Sequence, residues 1–237
     1  MPGATLVVVA ARNEAQRLGA TLAALSSAFP EASLWVADDG SSDETAALAA
    51  RAGARVVSSE RPAGKGAAMT LAVSKALGAG AVAEKAAGGA AGEGERVVLL
   101  CDGDLGESAG RLGALAEAVR GGRADIAIAA FKVRAGGGLG LALGFARWAI
   151  RRRCGLEAAA PLSGQRAMRA EVLSGLLPFA PGYGMEVGMT IDAVRGGRRV
   201  VEIELELSHR ATGRTPGGFV HRARQLLDVA RAQAARR

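Results

Sequence analysis

The chain has 237 residues, 49% of them apolar and only 3% aromatic, so a core of this size must be built from Ala, Val, Leu and Ile; wholesale disorder, a collagen helix and a coiled coil are excluded. Lys and Arg outnumber Asp and Glu by 30 to 23, a net charge of +7 that favours an anionic partner. Two cysteines and two histidines exclude a disulfide framework and a cysteine-rich zinc site, and leave little for a histidine cluster.

Thr5–Ala10 is a continuous, largely β-branched run, the pattern of a strand buried on both faces of a parallel sheet. With no basic stretch ahead of it, it reads as a strand and not a signal peptide, and a reducing, cytoplasmic setting is expected. Leu18, Leu22 and Leu25 predict a helix over Glu14–Phe29, stopped by Pro30. A strand at Ser33–Ala37 runs into a turn rich in Asp, Gly and Ser, then a helix at Glu44–Ala52 and a short strand at Arg55–Ser58. Strand, loop and helix repeated in this way predict βαβ units and an α/β fold with a mostly parallel central sheet flanked by helices.

Gly64–Leu77 predicts a further helix, and Gly78–Gly94 has the Ala/Gly composition of a surface insertion or a frayed helical extension. The sheet resumes at Arg96–Cys101, followed by an Asp-Gly-Asp turn, a helix over Ser108–Arg120 and a strand at Asp125–Ala130. Helices are expected at Leu139–Arg153, Ala170–Leu177 and Met185–Arg195, with a half-exposed strand at Val200–Glu206. The expected organisation is one catalytic domain over residues 1–216 and a basic amphipathic helix over 217–237. No uncharged stretch, Ala135–Ala146 and Val172–Met185 among them, reaches the ~18 residues of a spanning helix.

In an open parallel sheet, ligands collect outside the carboxyl ends of the strands. Polar clusters fall at three such ends: Asn13 and Glu14, Asp38 and Asp39, Asp102 and Asp104. Turns and caps use these residue types anyway, but three acidic clusters side by side repel unless a cation or a donor-rich ligand offsets them. Asp102 and Asp104 flank Gly103 on a tight turn, and such oxygen-only ligation suits Mg²⁺ or Mn²⁺. Gly64-Lys65-Gly66 opens a helix, where backbone N–H groups and an ammonium favour an anion. It lacks the spacing of a P-loop, which argues against ATP hydrolysis of that kind.

The runs Val7–Ala15, Ala37–Thr45, Gly64–Met69, Cys101–Leu105 and Ser163–Arg169 resemble, in order and spacing, the family 2 glycosyltransferases with the GT-A (nucleotide-diphospho-sugar transferase) fold. By that resemblance Ala11, Asn13, Glu14, Asp39, Lys65 and Asp102 would bind the nucleotide, and Asp104 would ligate the metal and take part in catalysis. Ala11 departs from the family's usual Pro. Gly182–Gly188 and Ser208–Arg210 are similar to glucosyl-3-phosphoglycerate synthases and to polyprenyl-phosphate sugar transferases. The former likeness would place His209 on the metal, and Ser163, Gly164, Arg166, Arg210 and Arg214 around a phosphorylated acceptor, since guanidinium forks match phosphate. Read from the residues, His209 is as readily a surface side chain, and the arginines as readily solvated.

Glu186 opens a helix after a Gly-rich turn, where it would deprotonate an acceptor hydroxyl in an inverting transfer or bind a sugar hydroxyl in a retaining one. The expected activity is therefore metal-dependent glycosyl transfer from a nucleotide diphosphate sugar, UDP-glucose or similar, to a small phosphorylated acceptor. Two rivals are a polyprenyl-phosphate sugar transferase at a membrane surface and a nucleotidyltransferase of related fold; the latter would need a Gly-rich, Arg-bearing loop where Arg12-Asn13-Glu14 stands. Arg147, Arg151, Arg152 and Arg153 beside Trp148 would suit peripheral contact with an anionic membrane or a homodimer contact. Nucleic-acid binding is not expected with so few stacking platforms.

Overall fold

The computed structural model describes residues 5–86, 96–131, 140–208 and 226–236. In chain order the elements are β1 (Thr5–Ala11), α1 (Ala15–Ala28), β2 (Ser33–Asp38), α2 (Thr45–Arg51), β3 (Arg55–Ser58), α3 (Lys65–Ala86) and β4 (Val97–Asp102). A 3-10 helix (Gly106–Leu112) then leads to α4 (Gly113–Arg120), β5 (Ile126–Phe131), α5 (Leu141–Cys154), β6 (Arg166–Arg169), α6 (Ala170–Ser174), α7 (Gly184–Arg195) and β7 (Val200–Leu205). A last helix, α8, covers residues 226–234.

The seven strands form one sheet in the order β3-β2-β1-β4-β6-β5-β7. All neighbours are parallel except β6, which runs antiparallel to both β4 and β5. No strand is expected from the sequence at Arg166–Arg169. Four residues with a charge at each end carry no strand period, and pairing with β4 and β5 overrides that local pattern.

Alternation along the strands sorts side chains to the two faces. Val7, Val9, Leu99 and Cys101 pack under α1 and α4 with Leu18, Leu22, Leu115 and Val119. Val8, Val98, Leu100, Ile126 and Ile128 face α3 and α7 through Met69, Val73, Met185 and Met189. Each fully buried Leu or Met of these layers stabilises the fold by roughly 1.5–3 kcal/mol. A third, smaller cluster lies beyond α7, where Ala146, Ala149 and Ile150 of α5 meet Val187, Ile191 and Val229 of α8.

Helix α3 extends to Ala86, past the end expected at Leu77, so the first half of the expected insertion is helical and the rest lies outside the described residues. α6 stops at Ser174, short of the expected Leu177. α5 gives its apolar side to α7 and leaves Trp148 46% exposed, with Phe145 stacked on it at a ring distance of 5.4 Å. Among the described residues no helix is long and apolar enough to cross a membrane.

Candidate active site

The register of the sheet brings the three polar strand ends together. Ala11 pairs with Asp38, and Ala10 pairs with Asp102, so the carboxyl ends of β2, β1 and β4 are adjacent and level. Asp39 N and Gly103 N donate to the carbonyls of Ala11 and Ala10 at 3.0 and 2.8 Å, continuing the pairing one residue past each strand.

The loops after β1 and β2 brace one another. Asn13 has a left-handed backbone, φ 55, which an Asn tolerates through local hydrogen bonding. Its Oδ1 accepts from Ser42 N at 2.8 Å, and its own N–H donates to Ser41 Oγ at 2.9 Å. Glu14 N donates to Thr45 Oγ1 at 2.9 Å, and Ala15 N to Asp43 Oδ2 at 3.2 Å. The Thr45 hydroxyl, bonded to Asp43, holds that carboxyl below its ordinary range. Asp38 closes the same loop by accepting from the backbone and hydroxyl of Ser41.

Asp39, 6% exposed, faces the start of α3. Its Oδ1 accepts from Ala63 N and Gly64 N at 2.7 and 2.9 Å, which fixes the turn that delivers Lys65. A carboxylate has about four lone-pair sites, so these contacts leave Asp39 capacity toward a ligand.

Lys65 is the centre of the site. Its Nζ lies 2.6 Å from Asp102 Oδ1 and 2.8 Å from Glu186 Oε1. Burial works against its charge, but the two carboxylates outweigh that cost and raise its pKa above the ordinary lysine value. Asp102 Oδ2 accepts from Gln165 Nε2 at 2.9 Å. Gly164 lies directly over this group: an added Cβ would stand 2.5 Å from Lys65 Nζ and 2.8 Å from Asp102 Oδ2. Backbone therefore forms this wall, and a side chain would fill the space.

Glu186 is 2% exposed, and while Oε1 meets Lys65, Oε2 has no hydrogen-bond partner among the described residues. Leaving a buried acceptor unpaired costs about 1–3 kcal/mol, and functional sites are where such costs are tolerated. Tyr183 stands nearby, its hydroxyl pKa raised by burial. Cys101 is buried beneath the turn, which pushes its thiol well up and excludes a thiolate nucleophile.

Asp104 is half-buried on the turn after β4. Among the described residues no three His, Cys, Asp or Glu side chains form a metal-holding group. Both Asp102 oxygens are taken by Lys65 and Gln165, so Asp104 is the hard oxygen donor of this turn that fits a small divalent cation keeping water and phosphate oxygens as other ligands. His209, Arg210 and Arg214 lie outside the described residues.

Arg166, read from the sequence as an acceptor contact, is 0% exposed, and its Nη2 has no hydrogen-bond partner among the described residues. Its Nε donates to Ser163 O at 2.9 Å and its Nη1 to Thr190 Oγ1 at 3.0 Å, which in turn donates to Glu186 O. Burial pushes its pKa down to about 10, still a cation at neutral pH. Ser163 is also mostly buried and bonds Gln165 at 3.2 Å. Gln165 and Thr190 were not singled out in the sequence; the signal for Gln165 was its place between Gly164 and Arg166, and Thr190 gave none. A separate groove of about 490 Å³ beside α5, lined by Arg147, Trp148, Arg151 and Glu157, shares no residue with this cluster.

Residues 6–169 match the model of the family described as Glycosyl transferase family 2. No curated protein sequence matches the chain. Crystal structures of glucosyl-3-phosphoglycerate synthase from Mycobacterium tuberculosis are similar to it. One is 26% identical with a TM-score of 0.70, covering 98% of this chain and 81% of that one. A second, in complex with Mn²⁺, UDP-glucose and phosphoglyceric acid, is 25% identical with a TM-score of 0.69, covering 98% and 80%. A third, with Mn²⁺, UDP-glucose and glycerol 3-phosphate, is 25% identical with a TM-score of 0.68 over the same shares.

Proposed function

The chain belongs to glycosyl transferase family 2, and from that premise we propose that it moves a glucosyl group from UDP-glucose to a hydroxyl of a small phosphorylated acceptor of the 3-phosphoglycerate type, with Mg²⁺ or Mn²⁺. The observation that carries this reading is Glu186 Oε2: a buried, unpartnered carboxylate oxygen, beside an ammonium already bound to the turn of Asp102. A sugar hydroxyl is a neutral donor of the size and polarity that satisfies it. The complexes of the similar synthase hold UDP-glucose with a phosphorylated three-carbon compound, which supports both substrate classes.

In this reading the braced loops of Ala11, Asn13, Glu14 and Asp39 receive the nucleoside, and Asp102 receives the ribose. Asp104, with His209, holds the metal, which when bound neutralises the charge of the departing diphosphate. Lys65 keeps Asp102 and Glu186 together, so the donor's ribose end and its sugar end are held by one linked group. Glu186 orients the sugar through Oε2. The bond from the anomeric carbon to the diphosphate oxygen breaks, a bond to the acceptor's oxygen forms, and the hydroxyl proton passes to the departing diphosphate oxygen. Gly164 lets the acceptor approach closely, and Arg210 and Arg214 meet its phosphate. Arg166 supports the wall from beneath by holding Ser163 O and Thr190. The functional unit comprises the catalytic domain together with α8, and its acceptor comes from water, because the apolar side of α5 is already taken by α7.

Titration calorimetry with UDP tests the reading. Binding that needs Mn²⁺, falls about 100-fold in Asp104→Ala and prefers UDP to GDP is expected. Equal affinity with and without the metal, or in Asp104→Ala, would overturn the role of that aspartate.

A further inference from the structure

Helix α8 is seated on three glycines at the start of α7. An added Cβ would stand 2.1 Å from Asp228 Oδ2 at Gly182, 2.8 Å from Ala232 Cβ at Gly184 and 2.9 Å from the Arg236 guanidinium at Gly188. These separations are below any real contact: at Gly184, where Asp228 O also lies 2.8 Å away, the helix itself would have to move, and at Gly182 and Gly188 the Asp228 and Arg236 side chains would have to turn away. Val229 is buried against it, and Arg236 Nε and Nη2 donate to Asp192 at 2.7 and 2.6 Å further along α7.

Asp228 is the member of α8 nearest the catalytic end. Its Oδ2 accepts from Tyr183 N at 3.2 Å, and its Oδ1 lies 3.7 Å from Arg231 Nη1. Tyr183 is the cap residue of α7 and supplies no side-chain cap of its own. A carboxylate from a different helix accepts from that N–H and complements the positive end of the α7 dipole.

The opposite side of the same turn presses on α3. An added Cβ on Gly66 would stand 2.0 Å from Ala180 O, and one on Gly64 would stand 3.7 Å from Gly182. Phe179 N donates to Thr70 Oγ1 at 3.0 Å. Residues 179–184 are thus a single layer of backbone between α8 and the turn of α3 that carries Lys65. That layer leads within two residues to Glu186.

We propose that Asp228 is a positioning residue for glycosyl transfer. Its carboxylate sets the Gly182–Tyr183 turn, and this turn sets Glu186 and the face against which Lys65 is held. The proposal rests on the reading of Glu186 and Lys65 as the sugar end of the site.

The test is the pair Asp228→Ala and Asp228→Asn in the full chain, read by amide exchange at Tyr183, by turnover with UDP-glucose and by UDP affinity. The Ala variant is expected to exchange about tenfold faster at Tyr183 and to lose about tenfold in kcat, the worth of one charge-assisted hydrogen bond. UDP affinity should stay within about twofold, because the braced loops and the turn of Asp104 make no contact through Asp228. The Asn variant keeps an accepting oxygen, and should restore most of both exchange protection and kcat. A merely structural role would lower the melting temperature and the active fraction of both variants with kcat per folded molecule unchanged, and that result overturns the proposal. Unchanged exchange and turnover in Asp228→Ala overturn it as well. Should the wild-type chain transfer nothing from UDP-glucose, the functional reading falls, and exchange at Tyr183 alone decides the clasp: faster in Ala and restored in Asn supports it, no difference overturns it.

Discussion

The two sides of the site are held by different means. On the nucleotide side, the loops after β1 and β2 hold each other through bonds between residues 28 to 31 apart in the chain, Asn13 to Ser41, Ala15 to Asp43 and Glu14 to Thr45. On the sugar side, Glu186 reaches its partner Lys65 across 121 residues, and Tyr183 is fixed by Asp228 across 45. The first is a rim made by neighbouring strands of one sheet. The second is a frame assembled from helices that meet only after the whole chain has folded. A rim of this kind is damaged locally when one bond is lost, whereas loss of a frame contact should affect parts that are far apart in sequence.

The sharpest way to separate the two is Lys65, where they join. Lys65→Met leaves two carboxylates facing each other without a cation, and should cost about 3 kcal/mol of stability, as breaking a buried pair does, together with about a 100-fold loss of kcat/KM. Chemical denaturation and steady-state kinetics measure both. Because the pKa of Lys65 is raised in the folded state, its stabilising contribution is fully present below the ordinary lysine value of 10.5 and is lost only as pH rises beyond it. The wild-type chain should therefore lose stability at strongly alkaline pH in a way that Lys65→Met does not. A variant as stable as wild type at pH 7 would show that the two sides are not joined there.

Asn13→Ala addresses the rim alone. It removes the acceptor of Ser42 N and puts a residue less tolerant of φ 55 in its place, at a cost of about 1–2 kcal/mol. UDP affinity should fall while the KM of the phosphorylated acceptor stays unchanged. Loss of both in parallel would mean that the rim and the frame are one unit.

These differences explain what could be read from the sequence. The parallel half was legible because Thr5–Ala10, Ser33–Ala37 and Arg96–Cys101 each carry an unbroken apolar run followed at once by a polar turn, so local pattern and final place agree. The strand at Arg166–Arg169 was not, since a charged residue at each end hides a segment whose β4 partners, from Leu100 for Arg166 to Val97 for Arg169, are 66 to 72 residues away. Arg166 shows the same limit at a single position. Arginine beside Ser-Gly suggests a phosphate contact, and only the packing of α7 over it turns the side chain inward to Thr190. Lys65, Asp102 and Glu186 were all visible as charged residues at turns or helix starts. That they form one group depends on the fold of three separate segments.

The smallest effect is expected on α5. Trp148 is half-exposed and its helix is anchored by Ala146, Ala149 and Ile150 on the other side, so Trp148→Ala should change stability by less than about 1 kcal/mol. Sedimentation with anionic liposomes at moderate salt should leave the protein in the supernatant. Co-sedimentation abolished by charge reversal at Arg151–Arg153 would instead move the acceptor toward a lipid phosphate.

The antiparallel strand β6 has a consequence for synthesis on the ribosome. β1 to β4 can pair as soon as residue 102 has emerged, but β5, made next, has no place beside β4, because β6 fills that position and is made some 35 residues later than the end of β5. Until then β4 presents an open row of amides and carbonyls, flanked by the apolar side chains of Val97–Cys101, to anything extended in its neighbourhood. A nascent chain halted between β5 and β6 therefore exposes a buried apolar strand as an edge, and vectorial growth makes that interval the period of greatest exposure to mispairing and to chaperone capture.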